Sequence, residues 1–390
     1  MEILPDIAAN APFLVELRRQ FHAEPEIGME EHRTAARVAE QLRVWGVEVH
    51  AGVGKTGVVG VVQGAGPGGS VGLRADMDAL PMEEASAAPH RSRRAGAHHG
   101  CGHDGHTVML LGAAAHLAAT RAFPGRVVLV FQPGEEGAGG ARAMLEDGLF
   151  RRFPCDEIYA LHNWPGAPLG RVSARRGVAM AAADTFDVTL TGLGAHGAQP
   201  HLARDPVIAA AALAQALQTV VSRSIDPLQP AILSVTQIHA GSAYNVIPES
   251  ARLGGTIRTF DPAVRALVAD RVRALAAGIA AAHGLTVEVA IQARFPALRN
   301  ADAQLDAALE IAQAVVGPER VERDAEPRTG SEDFADMLEA VPGAYLFLGA
   351  GDGPGLHSPR YDFNDALLPI GASLLARIAE ERARTLAAKR

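Results

Sequence analysis

Cys101, His103, Asp104 and His106 crowd into the run Gly100-Cys101-Gly102-His103-Asp104-Gly105-His106. Each can bind a metal or carry a proton, and the glycines between them let the backbone bend tightly. A thiolate and an imidazole two residues apart can reach one ion on an extended or turned segment. On a helix they could not, because i and i+2 face different ways. Helix-forming residues run from Thr107 to Ala119, so the cluster is expected at a loop-to-helix junction. The alternative is a glycine-rich turn with solvated histidines.

Further donors stand where strands are expected to end. Ser70–Arg74 reads as a strand and runs into Ala75-Asp76-Met77-Asp78. Arg126–Phe131 is a nearly continuous apolar run, as in a strand buried on both faces, and leads into Gln132-Pro133-Gly134-Glu135-Glu136. Glu157–Leu161 ends in His162-Asn163-Trp164, and late in the chain Ala344–Leu348 precedes Gly355-Leu356-His357. Open α/β sheets place their chemistry at the carboxyl ends of strands, which favours a shared site over separate solvated turns. Asp78 reads more simply as a turn cap, and Glu135 with Glu136 could be a solvated acidic turn.

Cys101, His103, Glu136, His162 and His357 are too many donors for one tetrahedral zinc ion and suit two ions that share a bridge. A thiolate can bridge such a pair, and a water between two cations becomes acidic near neutral pH. Glu135 is beside a donor without being needed as one. It fits the general base that takes the water's proton and hands it to a leaving nitrogen.

The remaining elements frame this set. Residues 12–22 and 30–45 have helical periodicity, and short strands are expected at 47–49 and 57–63. From Asp184 to Leu193 polar and apolar residues alternate. A helix over 205–222, strands at 231–239 and 251–259, a helix at 263–282 and a strand at 285–291 follow. That β-α-β-β-α-β order is a ferredoxin-like α+β insert. The expected domains are 1–182 and 293–390, forming an α/β metal-binding domain with a mixed sheet flanked by helices, and 183–292 as the insert.

With 390 residues, two domains are expected, and an apolar fraction of 48% is ample for their cores. A net charge of −8, with no basic run interleaved with aromatics, argues against nucleic acid as a partner. Two cysteines make no disulfide framework, and the start lacks a secretory pattern, so a cytoplasmic location is expected. The Ala-rich run Val207–Val221 is too short to span a bilayer, so no membrane is expected as a partner.

The segments LRADMDALP, GCGHDGHT, FQPGEEGAGGARAML, ALHNWP, TGLGAHGAQPH, AYNVIPE, GTIRTFDP, GSEDF and GLHSP together resemble the di-metal aminoacylase and carboxypeptidase family. They are most similar to its hippurate hydrolase and indole-acetyl-amino-acid hydrolase branch. The resemblance implies a zinc-peptidase-like α/β domain interrupted by a smaller lid or dimerisation domain. It implies metal binding by Cys101, His103, Glu136, His162 and His357, with Glu135 as catalytic base. It also implies that His196 stabilises the oxyanion, commonly from a partner subunit, and that Asn245 and Arg258 hold the substrate. A turn histidine at 196 and a structural ion pair at Arg258 are the plainer readings.

Much of the wider family carries His-x-Asp where this chain has Arg74-Ala75-Asp76. Asp76 is therefore expected to orient a ligand imidazole from behind. His106, Glu332 and Asp333 are read as similar supports, with helix capping the alternative for the last two. His201, His239 and Cys155 are read as structural. The basic run Pro89–Arg94 could favour an acidic substrate or be a solvated loop. The function expected is hydrolysis of small N-acyl amino acids by a homodimer. Two divalent ions are expected per subunit, zinc or manganese, with cobalt and nickel admissible. Short dipeptides are the alternative substrates, and a non-catalytic metal-binding homologue is the remaining one.

Overall fold

The computed structural model describes residues Met1–Lys389. The chain divides into two compact units. The first comprises Met1–Ala179, Arg299–Glu326 and Asp333–Arg390, and the second Met180–Leu298 with Pro327–Glu332. The short segment 327–332, read from sequence as part of the metal-binding domain, is thus grouped with the insert. Its backbone carbonyls at Arg328 and Gly330 both accept from the Ala181 amide.

The first unit is built on an eight-stranded mixed sheet. Four adjacent central strands, Arg126–Gln132, Ser70–Asp76, Glu157–Trp164 and Gly343–Gly349, run parallel. Glu48–Val53 and Gly57–Gln63 extend one side antiparallel, and Val172–Ser173 and Val321–Glu322 finish the other. Val127 to Phe131 are all buried, which explains an apolar run without alternation. Because the central strands are parallel, Asp76, Gln132, His162 and the loop after Gly349 emerge at one sheet edge.

Helices Pro5–Ala23, His103–Thr120, Asp302–Val316 and Leu367–Ala388 pack their apolar residues into the core of this unit. Small residues allow close approach: a Cβ on Gly112 would meet Ala372 and Leu14 at 3.0 Å. The first helix starts at Pro5, not at residue 12, since Pro5 is tolerated in the first turn and Pro12 is accommodated inside.

The helix expected from Thr107 begins instead at His103. The space a side chain at Gly105 would take is filled by Phe363, whose ring would lie 2.2 Å from a Cβ there. Gly102 caps this helix at φ +90, and a Cβ would stand 2.6 Å from both Asn163 Nδ2 and the Tyr361 hydroxyl. Cys101 is therefore on the turn, and His103 and His106 are on the first helical turn.

The second unit is a four-stranded antiparallel sheet, ordered Ala231–Ala240, Ser250–Thr259, Ala182–Thr191, Thr286–Phe295. Helices Pro206–Ser224 and Pro262–Ala282 pack against it, each capped by an aspartate, Asp205 or Asp261. With 19 residues Pro206–Ser224 is, by length and composition, long and apolar enough to cross a membrane, whereas the run read from sequence is shorter. Ala209, Ala210, Leu213, Leu217 and Val220 bury one of its faces in this unit's core.

Candidate metal centre

All five expected donors meet in the first unit. Cys101, His103 and His162 offer ligand atoms within 4.8 Å of one another, and so do Cys101, Glu136 and His357. The Cys101 sulfur belongs to both groups. A third group, His103 with Glu135 and Glu136, overlaps the other two.

His162 and His103 are each held by one nitrogen so that the other faces the cluster. His162 Nδ1 donates to the Asn163 carbonyl at 2.7 Å, which leaves Nε2 3.5 Å from Cys101 Sγ. His103 Nδ1 stands 3.1 Å from Asp78 Oδ1, which turns its Nε2 towards Glu136 Oε1 at 3.9 Å and Glu135 Oε2 at 4.0 Å. His357 has a left-handed backbone, φ +63, and its Nε2 lies 3.2 Å from Glu136 Oε1. Asp78 also accepts the Glu136 amide at 2.9 Å.

The electrostatics are those of a cluster of facing donors. Burial pushes the Cys101 thiol up and holds His162 well below the ordinary imidazole range. Hydrogen bonding to Cys101 and Glu136 raises His357 to about 10. His103 Nε2 is buried and, among the described residues, closes no hydrogen bond, and the buried Glu136 Oε1 faces His357 Nε2 at 3.2 Å. Such groups are costly unless a further partner satisfies them. Sulfur, imidazole and carboxylate donors left in that condition fit a pair of borderline cations.

Asp76 differs from its expected place. It supports His106, whose Nδ1 donates to Asp76 Oδ1 at 2.6 Å, and it stands 3.9 Å from His103. The carboxylate that orients His103 is Asp78, read from sequence as a turn cap. His106 Nε2 in turn accepts from the amide and side chain of Asn163 at 3.1 and 2.9 Å. Asn163 Nδ2 also donates to the Cys101 carbonyl, and its oxygen accepts from the Tyr361 hydroxyl at 2.5 Å. Asn163 and Tyr361 were missed. Asn163 was legible only as the neighbour of His162, and nothing near Tyr361 in sequence signals its role.

Arg74 is fully buried, and it donates to Gln132 at 2.8 Å, Asp76 at 2.8 Å and Asp333 at 3.2 Å. Asp333 also accepts from Gln132 and from the Ala141 amide, and its side chain does not cap the helix Phe334–Ala340. Glu332 is buried and falls in the segment grouped with the second unit.

In that second unit His196 pairs with Val246 in a two-stranded ladder, and the Gly197 amide donates to the Asn245 carbonyl at 2.8 Å. His196 is exposed, and its Nδ1 accepts from the Ala198 amide at 3.0 Å, so Nε2 carries the proton. Arg258 donates to Thr256 and the Ile257 carbonyl, and no carboxylate pairs with it among the described residues.

The sequence of residues 72–381 matches the model of peptidase family M20/M25/M40. The chain belongs to that family. The hippurate hydrolase of Campylobacter jejuni is 39% identical over 379 residues, 97% of this chain and 99% of its own. The N-acetyl-L-cysteine deacetylase of Bacillus subtilis is 39% identical, covering 91% of this chain and 84% of its own. The crystal structure of Bacillus subtilis YxeP, described as a dinuclear metal-binding peptidase of family M20, superposes with a TM-score of 0.84. It is 31% identical and covers 97% of this chain and 99% of its own. This member of family M20/M25/M40 is accordingly a hydrolase of amide bonds, with the mixed α/β fold of its relatives.

Proposed function

We propose that this M20 hydrolase removes the acyl group from small N-acyl amino acids, using two divalent ions held by Cys101, His103, Glu136, His162 and His357. The observation that carries the reading is the Cys101 sulfur, common to two donor groups, with the Glu135 carboxylate at their margin. The names of the hippurate hydrolase and the N-acetyl-L-cysteine deacetylase support the substrate class.

Bound there, the two ions would supply positive charge that polarises an amide carbonyl and acidifies water. Glu135 takes a proton from the attacking water and returns it to the amide nitrogen. The water oxygen bonds to the acyl carbon, the carbon–nitrogen bond breaks, and a carboxylic acid and a free amino acid leave. Asp78 keeps His103 and Glu136 in register, and Asn163 fixes the Cys101 turn. His196 is assigned the role of donating its Nε2 proton to the carbonyl oxygen, and Arg258 and Asn245 that of gripping the amino-acid end. A homodimer is part of the proposal, supported by the exposed apolar residues Ile232, Ile238 and Val246 of the second unit.

The test is a hydrolysis screen of benzoyl, acetyl and indole-acetyl amino acids beside unblocked dipeptides, after loading with zinc, manganese, cobalt or nickel in turn. Turnover of blocked amino acids above dipeptides supports the reading. Preference for a free amino group moves the assignment to dipeptidase, and no turnover with any metal overturns it.

A further inference from the structure

A second group of ligand-type side chains lies in the first unit, apart from the five donors. His22, near the end of the helix Pro5–Ala23, faces Glu84 and His98, which come from the irregular segment between Asp78 and Cys101. The ligand atoms of these three residues fall within 4.8 Å of one another. Both imidazoles are fully buried, and the Glu84 side chain is 2% exposed.

His22 Nε2 and Glu84 stand at the long limit of a hydrogen bond, and the spacing of all three donors also suits coordination of one ion. His22 Nε2 stands 3.4 Å from one oxygen of Glu84, and His98 Nδ1 stands 3.4 Å from the other. Four ligands at zinc–nitrogen distances of 2.0–2.1 Å define a tetrahedron with edges of about 3.3–3.4 Å. Among the described residues neither ring nitrogen of His98 closes a hydrogen bond, although the residue is wholly enclosed. An uncharged imidazole left so is an unmet donor and acceptor, which a bound ion would resolve.

The supporting groups are in place as well. His22 Nδ1 lies 2.8 Å from Asp104 Oδ2, the carboxylate–histidine arrangement that orients a metal-binding ring and presents its other nitrogen. Glu84 is itself fixed, accepting from the Ser92 amide at 2.6 Å and from the Ser86 hydroxyl. Arg18, on the same helix as His22, has its charge met by Asp104, Asp362 and Asp365.

We propose that His22, Glu84 and His98 form an additional site for a divalent transition-metal ion, distinct from the Cys101 centre. The three protein donors leave a coordination position for water. An ion there ties the first helix to the segment that runs directly into Gly100–His106. Its role is that of a clip that orders the approach to Cys101 and takes no part in amide cleavage.

The experiment compares tightly bound zinc per chain, by elemental mass spectrometry, in the parent protein and in His98→Phe and Glu84→Gln. Each protein is stripped with chelator, reloaded with zinc and desalted. The Cys101 centre is intact in all three, so the difference does not depend on how many ions it holds. Each variant is expected to hold one zinc fewer than the parent, and equal content overturns the site. Crystals of the zinc-loaded parent give a check that needs no variant. An anomalous peak between His22 Nε2, His98 Nδ1 and Glu84 supports the site, and its absence overturns it.

Discussion

Asp78 joins His103 to Glu136: one oxygen lies 3.1 Å from His103 Nδ1 and the other accepts the Glu136 amide at 2.9 Å. A single carboxylate therefore sets the direction of two of the five donors. Asp78→Asn keeps the shape but weakens both contacts. Metal affinity is expected to fall roughly 10–100-fold, the effect of losing a ligand's supporting partner. Competition against a chromophoric chelator measures it, and unchanged affinity would show that Asp78 is only a turn residue.

Glu135 is close to the donors and is assigned the proton transfer. Glu135→Gln is expected to leave metal content unchanged and to lower kcat by roughly 10²–10⁴-fold, the range for loss of a general base. Metal analysis beside steady-state kinetics separates the two effects. Near-normal turnover with full metal would remove Glu135 from the mechanism.

His196 has its tautomer set by the Ala198 amide, which leaves Nε2–H as a donor. His196→Ala is expected to lower kcat by roughly 10²–10³-fold, as for removal of an oxyanion donor. A rise in KM with kcat unchanged would instead assign His196 to binding alone.

Much of this arrangement was legible because strand ends announce themselves. Asp76, Glu135 with Glu136, and His162 each follow an apolar run, and parallel pairing carries those ends to one edge. What was not legible depends on partners distant in sequence. Helix-forming residues begin at Thr107, and only the fold shows Phe363 filling the space beside Gly105 and the helix starting at His103. Asp76 and Asp78 are alike in sequence. Only the fold gives Asp76 to Arg74 and His106, and Asp78 to His103. His22, Glu84 and His98 share no motif, and their approach is a property of the folded chain.

The Gly105–Phe363 contact can be tested as packing. Gly105→Ala puts a methyl into the Phe363 ring and is expected to destabilise the protein by about 1–3 kcal/mol. Phe363→Leu in the same chain should recover part of that loss. Denaturant unfolding of the single and double variants measures the coupling, and additive losses would contradict it.

His116 supplies a pH-dependent contribution to stability. Its Nδ1 lies 2.7 Å from Asp6 and its Nε2 3.2 Å from Glu380. Burial opposes its charge, but Glu380 and Asp6 outweigh that and raise it above the ordinary value of 6.5. The contribution is therefore complete below the unfolded-state value and disappears as pH rises through the folded-state one. His116→Asn is expected to destabilise more at about pH 6 than at about pH 9, as read by urea midpoints of the metal-free protein. A deficit that grows with pH would contradict the assigned partners.

The most direct test of the metal centre is anomalous diffraction from crystals of the protein loaded with zinc. Two peaks flanking Cys101 are predicted, both within about 2.3 Å of its sulfur, the zinc–thiolate distance. One should be shared with His103 and His162, and the other with Glu136 and His357. A single peak in this cluster, or a Cys101 sulfur bound to neither ion, would contradict the account.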